Sequence, residues 1–264
     1  MRRAALRADK LSLTLGGQSV VDHVSLTASA GEVLAVIGPN GAGKSSLLSL
    51  LSGERRPDAG QVWIGDAELN SLSSLALARR RAVLPQTLPR AVGFSVLDIV
   101  QLGRLPHQSG GAPTPEDRRA AQQALAQVGM SAFAHRRVET LSGGEHQRIH
   151  LARALAQLSD PPPGSPPVLL LDEPTSALDL GAQHQTLELA ARLAHDGLVV
   201  IVVLHDLNLA ARYADRVLLM HRGRAVAPPT PPDALLQPAI LGPIYGLTLA
   251  RHELGGRPVL FPGD

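Results

Sequence analysis

Three stretches of the chain are apolar at every position: VLAVI at 33–37, VLLL at 168–171 and LVVIVVL at 198–204. Short apolar runs without polar alternation suit strands covered on both faces, as in a parallel sheet. Residues 8–28 and 60–66 instead alternate apolar and polar positions, which predicts short strands forming an antiparallel layer beside that sheet. From about 87 to 157 the spacing turns helical and interrupts the α/β alternation. This segment is expected to form a smaller helical lobe on a core of about 1–86 and 158–264, within a single domain spanning 1–264. Inside it FSVLDIVQLGR (94–104) is an amphipathic helix candidate. TPEDRRAAQQALAQVG places Thr114 at an N-cap, Pro115 at the first helical position and Asp117 at the third. SDPPPGSPP (159–167) holds too many prolines for a helix and reads as a stiff surface loop. The tail from Pro228 onward suggests no chemistry.

Composition narrows the picture. At 264 residues, with 44% hydrophobic and 18% charged positions, the chain can bury a sizeable core and does not resemble a disordered segment. Aromatics are only 2%, so aliphatic side chains must fill that core. No apolar run approaches the roughly 20 residues needed to span a bilayer. MRRAALRADKLSLTLGG is broken by Arg7, Asp9 and Lys10 and lacks the apolar stretch of a secretory signal, so a cytosolic location is expected. The absence of cysteine excludes disulfides and thiolate metal sites. A net charge of +2 with scattered arginines and no interleaved aromatics argues against a nucleic-acid partner. Of 25 basic residues only Lys10 and Lys44 are lysines, so each lysine needs a local reason.

Lys44 has one. VLAVI runs into GPNGAGKSS (Gly38, Pro39, Asn40, Gly41, Ala42, Gly43, Lys44, Ser45, Ser46) and then into the helical pattern LLSLLSG. Strand, glycine loop and helix in this order fit G-x-x-x-x-G-K-[ST], a phosphate-binding loop. Its backbone N–H groups and the positive helix end would surround an anion, with Lys44 on the terminal phosphates and Ser45 on Mg²⁺. The alternative, a glycine turn that merely starts a helix, does not explain why both flanks are correct.

The second apolar strand ends in Asp172 and Glu173. A lone pair of this kind is usually a solvated strand end. Beside a phosphate loop, an aspartate there can hold Mg²⁺ and its neighbour can act as general base on the attacking water. Alternation along the strand is expected to send the two side chains to opposite sides. The third strand ends in His205, by itself an ordinary surface histidine. As the third strand end to carry such a group it becomes a candidate sensor of the γ-phosphate, since open parallel sheets bind ligands outside their carboxyl ends.

LSGGEHQR (141–148) lies far beyond the phosphate loop and completes a resemblance to the ATP-binding subunits of ABC transporters. It is similar to their signature motif. GPNGAGKSS resembles the Walker A loop, VLLLDEP Walker B, SALD (176–179) the D-loop, AVLPQ with Gln86 the Q-loop, and His205 the switch histidine. The resemblance implies an α/β P-loop NTPase fold, ATP and Mg²⁺ as ligands, and a catalytic set of Glu173, His205 and Gln86. It implies metal contacts from Ser45, Gln86 and Asp172. It further implies a head-to-tail pair of subunits in which Ser142, Gly143 and Gly144 of one copy bind the γ-phosphate of the ATP held by the other, with Asp179 of the D-loop among the nucleotide-binding residues. The physics agrees, because a helix starting near Ser142 would offer a second anion site. Further implied partners are two transmembrane permease subunits, docked near 86–104, and indirectly a periplasmic substrate-binding protein. The implied location is peripheral, on the cytoplasmic face of the bacterial inner membrane.

LSGERRPDAG, ALDLGAQHQ and VLHDLNLAARYAD resemble importers of the iron-chelate and cobalamin type, most closely those for hemin, with ferric siderophore or cobalamin importers as the alternative. No residue among these would touch the cargo. Two other classes fit the chain less well. A soluble ABC-type factor in DNA repair or translation would carry a long coiled-coil insert or a second cassette, and a binding-only module would need no base at Glu173. One departure from the family stands out. The position that usually stacks an aromatic on adenine is Leu15 here, so weakened base discrimination is expected.

Overall fold

A computed structural model describes residues 4–89, 92–108, 110, 112–176 and 178–263. Its centre is a six-stranded sheet in the order β10-β9-β3-β8-β7-β6. Five of these strands are mutually parallel: β3 (Glu32–Ile37), β6 (Arg81–Leu84), β7 (Val168–Asp172), β8 (Val199–Val203) and β9 (Arg216–His221). The sixth, β10 (Arg224–Ala225), is a short antiparallel edge. All three apolar runs of the sequence lie in the middle of this sheet, where β3 and β8 are buried at every residue.

The antiparallel layer is a second sheet, β2-β1-β4-β5. Its strands are longer than the alternation suggests: β1 spans Ala4–Leu15 and β2 Gln18–Ser29. Gly16 and Gly17, both at positive φ, close them into a two-residue hairpin, the geometry that matches strand twist. Register shifts along the pair blur the period-2 pattern and hide the strand ends from the sequence. β4 (Ala59–Ile64) and β5 (Ala67–Glu68) complete the layer. Between the two sheets lies α1 (Lys44–Ser52), whose Leu47, Leu48, Leu50 and Leu51 are buried with Leu34, Val36, Leu170 and Ile201.

α2 (Ser74–Ala78) leads into β6. The other face of the central sheet is covered by α3 (Val96–Gln101), α4 (Pro115–Gln127), α5 (Gly143–Leu158), α6 (Leu180–His195) and α7 (Leu207–Tyr213). Leu97, Leu125, Ile149 and Leu155 share one continuous core with Leu169, Leu171, Val200 and Val202. α4 begins as its sequence predicts, with a reciprocal capping box between Thr114 and Asp117 and proline at the first position. Residues 161–167 have no regular structure, in keeping with their prolines.

The tail without assignable chemistry is ordered. α8 (Pro232–Leu235), α9 (Pro238–Tyr245) and a separate hairpin of β11 (Leu249–Leu254) and β12 (Arg257–Pro262) bury Leu235, Leu236, Leu241 and Leu260 in the same core. Among the described residues no helix is long and apolar enough to cross a membrane.

Candidate active site

The carboxyl ends of β3, β6, β7 and β8 converge on one open cavity of about 570 Å³. It is lined by Val20, Asn40, Gly41, Ala42, Gly43, Lys44, Ser45, Ser46, Gln86, Glu173 and His205. Parallel order makes this convergence inevitable, because every parallel strand delivers its following loop to the same edge.

The glycine loop is shaped by close backbone approach. Gly38 has φ 149°, and a Cβ there would lie 2.2 Å from the Met220 carbonyl oxygen. Gly43 has φ 96° and would place a Cβ 2.2 Å from the Val20 carbonyl oxygen. Only glycine fits either position. Lys44 Nζ donates to the carbonyl oxygens of Gly38 at 2.9 Å and Pro39 at 3.1 Å. Burial pushes its pKa down, opposed by the negative charges of Glu173 and Asp172. The lysine is thus a buried cation folded onto its own loop, ready to exchange two carbonyls for an anion.

Ser45 Oγ donates to Asp172 Oδ1 at 3.2 Å. Burial raises the pKa of Asp172, the Ser45 hydrogen bond opposes the rise and the Glu173 charge adds to it. Two carboxylates and a hydroxyl facing one lysine leave a local excess of negative charge. Hard oxygen donors in that state suit a small divalent cation such as Mg²⁺.

The strand-alternation expectation for Asp172 and Glu173 is corrected. β7 ends at Asp172, and Glu173 sits outside the strand in the left-handed region with φ 49°. That twist turns both carboxylates toward the glycine loop, and their partners keep them apart instead. Asp172 contacts Ser45, while Glu173 accepts from Gln86 Nε2 at 2.6 Å through Oε2 and pairs with His205 Nε2 through Oε1. The structure therefore brings Gln86, Glu173 and His205 into one hydrogen-bonded chain.

Ser142, Gly143, Gly144 and Asp179 are elsewhere. They line a separate cavity with Arg148, Leu178, Gly181, Ala182 and Gln185, and no residue is common to the two cavities. Ser142 is the N-cap of α5. Its hydroxyl accepts from the Glu145 N–H, and the Glu145 carboxylate accepts from the Ser142 N–H at 2.8 Å. The N–H groups of Gly143 and Gly144, in the first turn, have no intrahelical acceptor. Asp179 caps α6 by accepting from Ala182 N–H at 2.8 Å. Ala177 of SALD lies outside the described residues.

Several supporting side chains escape sequence reasoning. Gln147 donates to the Pro174 carbonyl, tying the LSGGEHQR helix to the loop after Glu173. Gln183 donates to the carbonyls of Thr175 at 3.2 Å and Leu178 at 3.1 Å, bracing the segment before Asp179. The Tyr245 hydroxyl is buried near the Gly38 backbone and makes no hydrogen bond among the described residues. Burial pushes its pKa up to about 12, opposed by that nearby backbone. Gln147 lies inside a recognisable motif, but Gln183 and Tyr245 carry no sequence signal.

Comparison with known proteins agrees with this geometry. The ABC transporter family model matches residues 21–176. The hemin import ATP-binding protein HmuV of Gloeobacter violaceus is 46% identical over 259 residues, covering 97% of this chain and 94% of its own length. A metal-chelate type ABC transporter in an inward-facing conformation superposes with a TM-score of 0.83 at 28% identity, covering 99% of this chain and 98% of that one. A dimeric bacterial ABC transporter cassette gives a TM-score of 0.72 at 27% identity over 84% of this chain and 97% of its own.

Proposed function

We infer, from a chain that belongs to the ABC transporter family of ATP-binding subunits, that its ATP hydrolysis powers import of hemin by a permease in the bacterial inner membrane. The observation that carries the catalytic part is the placement of Glu173 at the mouth of the glycine loop, bonded to Gln86 and His205. Among the described residues Glu173 is the one carboxylate lining that cavity, which supports its role as the base that takes the proton of the attacking water. Lys44 and the loop N–H groups hold the phosphates. His205, now on Glu173, is poised to turn to a γ-phosphate and free the carboxylate for water. Ser45, Asp172 and the carbonyl oxygen of Gln86 would hold Mg²⁺, which when bound neutralises charge between the terminal phosphates.

The LSGGEHQR helix has its anion-binding end in the second cavity, so two copies arranged head to tail would complete each other's sites. Ser142, Gly143, Gly144 and Asp179 then act in the partner's site. In this reading residues 87–157 form a lobe that swings on Gln86, and the permease pair docks beside it. Exposed Phe94, Leu102 and Leu105 supply an apolar surface there, while Val96, Leu97, Ile99 and Val100 belong to the core. The subunit is peripheral, and a periplasmic binding protein would deliver the cargo to the permease.

Hemin as cargo rests on the 46% identity to a hemin import ATP-binding protein along nearly the whole of both chains. The test is reconstitution in liposomes with its cognate permease pair. ATP-dependent uptake of hemin is expected, and uptake of a ferric siderophore or cobalamin without hemin would overturn the assignment.

A further inference from the structure

α7 begins two residues after His205 and is only seven residues long. A helix of two turns is unstable alone, so its position is set by whatever packs against it. Asp206 caps its start, accepting from Asn208 N–H at 2.7 Å and Leu209 N–H at 3.0 Å. Leu209, Ala210 and Ala211 of α7 are buried in the core and Tyr213 meets His184 of α6 at 2.6 Å, while β12 supplies polar anchors at both ends. The Asn208 side chain bonds both polar groups of the Leu260 backbone, donating to its carbonyl at 3.1 Å and accepting from its N–H at 2.8 Å. At the other end of α7, Arg257 Nη1 donates to the carbonyls of Ala211 at 2.9 Å and of Arg212. Those carbonyls have no acceptor role within so short a helix, and the guanidinium also meets the negative end of the helix dipole. Leu260 is buried between these two anchors, 6% exposed. The hairpin belongs to neither large sheet, so docking on α7 is a principal part of what it does.

We propose that β12 is a splint that fixes α7, and that Asn208 and Arg257 are positioning residues setting His205 for γ-phosphate hydrolysis. The tail then serves the reaction without touching the nucleotide. Loss of either anchor would let α7 drift and move His205 away from the geometry it needs. The glycine loop and Lys44 belong to β3 and α1, on different elements, and would bind nucleotide as before. This proposal rests on the reading of His205 given above, and the experiment separates the two.

Steady-state ATPase kinetics of the full chain would compare Asn208→Ala, Arg257→Ala and Arg257→Lys with His205→Ala and with the double variants carrying His205→Ala. Each alanine anchor variant is expected to lower kcat about tenfold with KM for ATP unchanged, and Arg257→Lys to recover most of the rate. Neither anchor variant should lower the residual rate of His205→Ala further, because the group they position is already gone. Equal proportional losses with and without His205, or a rise in KM alone, would overturn the proposal and assign the hairpin to stability. Wild-type kcat in both anchor variants would overturn it as well. A His205→Ala variant with wild-type turnover would instead reject the role of His205 itself. Should Asn208→Ala fail to fold, Arg257→Ala, whose side chain lies at the surface, reads the same quantities.

Discussion

Gly43 and Gly38 show how little freedom the phosphate loop has. An added methyl at Gly43 would stand 2.2 Å from a backbone oxygen of β2, which cannot give way without opening the interface between the sheets. Gly43→Ala is therefore expected to cost about 2–3 kcal/mol of stability and to lower ATP affinity at least tenfold, read by thermal unfolding and by nucleotide titration. His150 gives a residue-scale signature of a different kind. It is buried on α5 beside His146, and burial together with Arg153 and His146 lowers its pKa from 6.5 to about 4. The unfolded chain then binds a proton that the folded chain does not between these values, so stability is complete above pH 6.5 and falls as pH drops toward 4. The loss at full extent is on the order of 3 kcal/mol. His150→Gln should flatten this limb of the stability curve, and an unchanged acid limb in urea unfolding would contradict the assignment. Lys44, Ser45 and Asp172 were legible in the sequence because strand ends and glycine spacing fix them. His150 was not, because nothing local distinguishes a buried histidine on a helix from an exposed one.

At the scale of elements, one buried ion pair joins three pieces of the helical region. Arg104, in the 3₁₀ turn after α3, bonds Asp117 of α4 at 3.0 Å and the Ala156 carbonyl of α5 at 3.0 Å, with both charged side chains 5% exposed. Asp117 also closes the capping box of α4. Arg104→Ala would leave that carboxylate buried and unpaired, and a loss of about 3 kcal/mol is expected in denaturant unfolding. Adding Asp117→Asn should recover part of it, since the amide oxygen can still cap the helix without a charge. The cap on Thr114 was legible because it is a contact between near neighbours in sequence. The pairing with Arg104 was not, because it depends on how two helices meet. The same distinction explains the C-terminal tail. LARHEL and RPVLFP have weak alternation, and the role of β12 follows only from the partners it finds on α7.

For the whole molecule, the glycine loop and the start of the LSGGEHQR helix lie in separate cavities of one chain. Parallel sheet order and the position of Glu173 were foreshadowed by three apolar runs ending in polar groups. On the proposed reading, the second half of either site comes from another copy of the chain. Among the described residues no aromatic side chain lines the nucleotide cavity, and Leu15 is exposed at the end of β1. ATP and GTP turnover are expected to agree within about fivefold, because the triphosphate common to both carries the binding and the roughly 1–3 kcal/mol of base stacking is missing. A strong ATP preference in a competition assay would count against this. Ser142→Ala combined with Gly144→Asp should abolish turnover while the isolated subunit still binds ATP, since the altered groups would serve the other copy.

Light scattering of Glu173→Gln, expected to bind ATP without hydrolysing it, tests the shared site most directly. Without nucleotide the mass should be that of one 27.7 kDa chain. With ATP and Mg²⁺ it should double, and it should return to a single chain when Gly144→Asp is added. A variant that binds ATP and stays at 27.7 kDa would contradict the shared site.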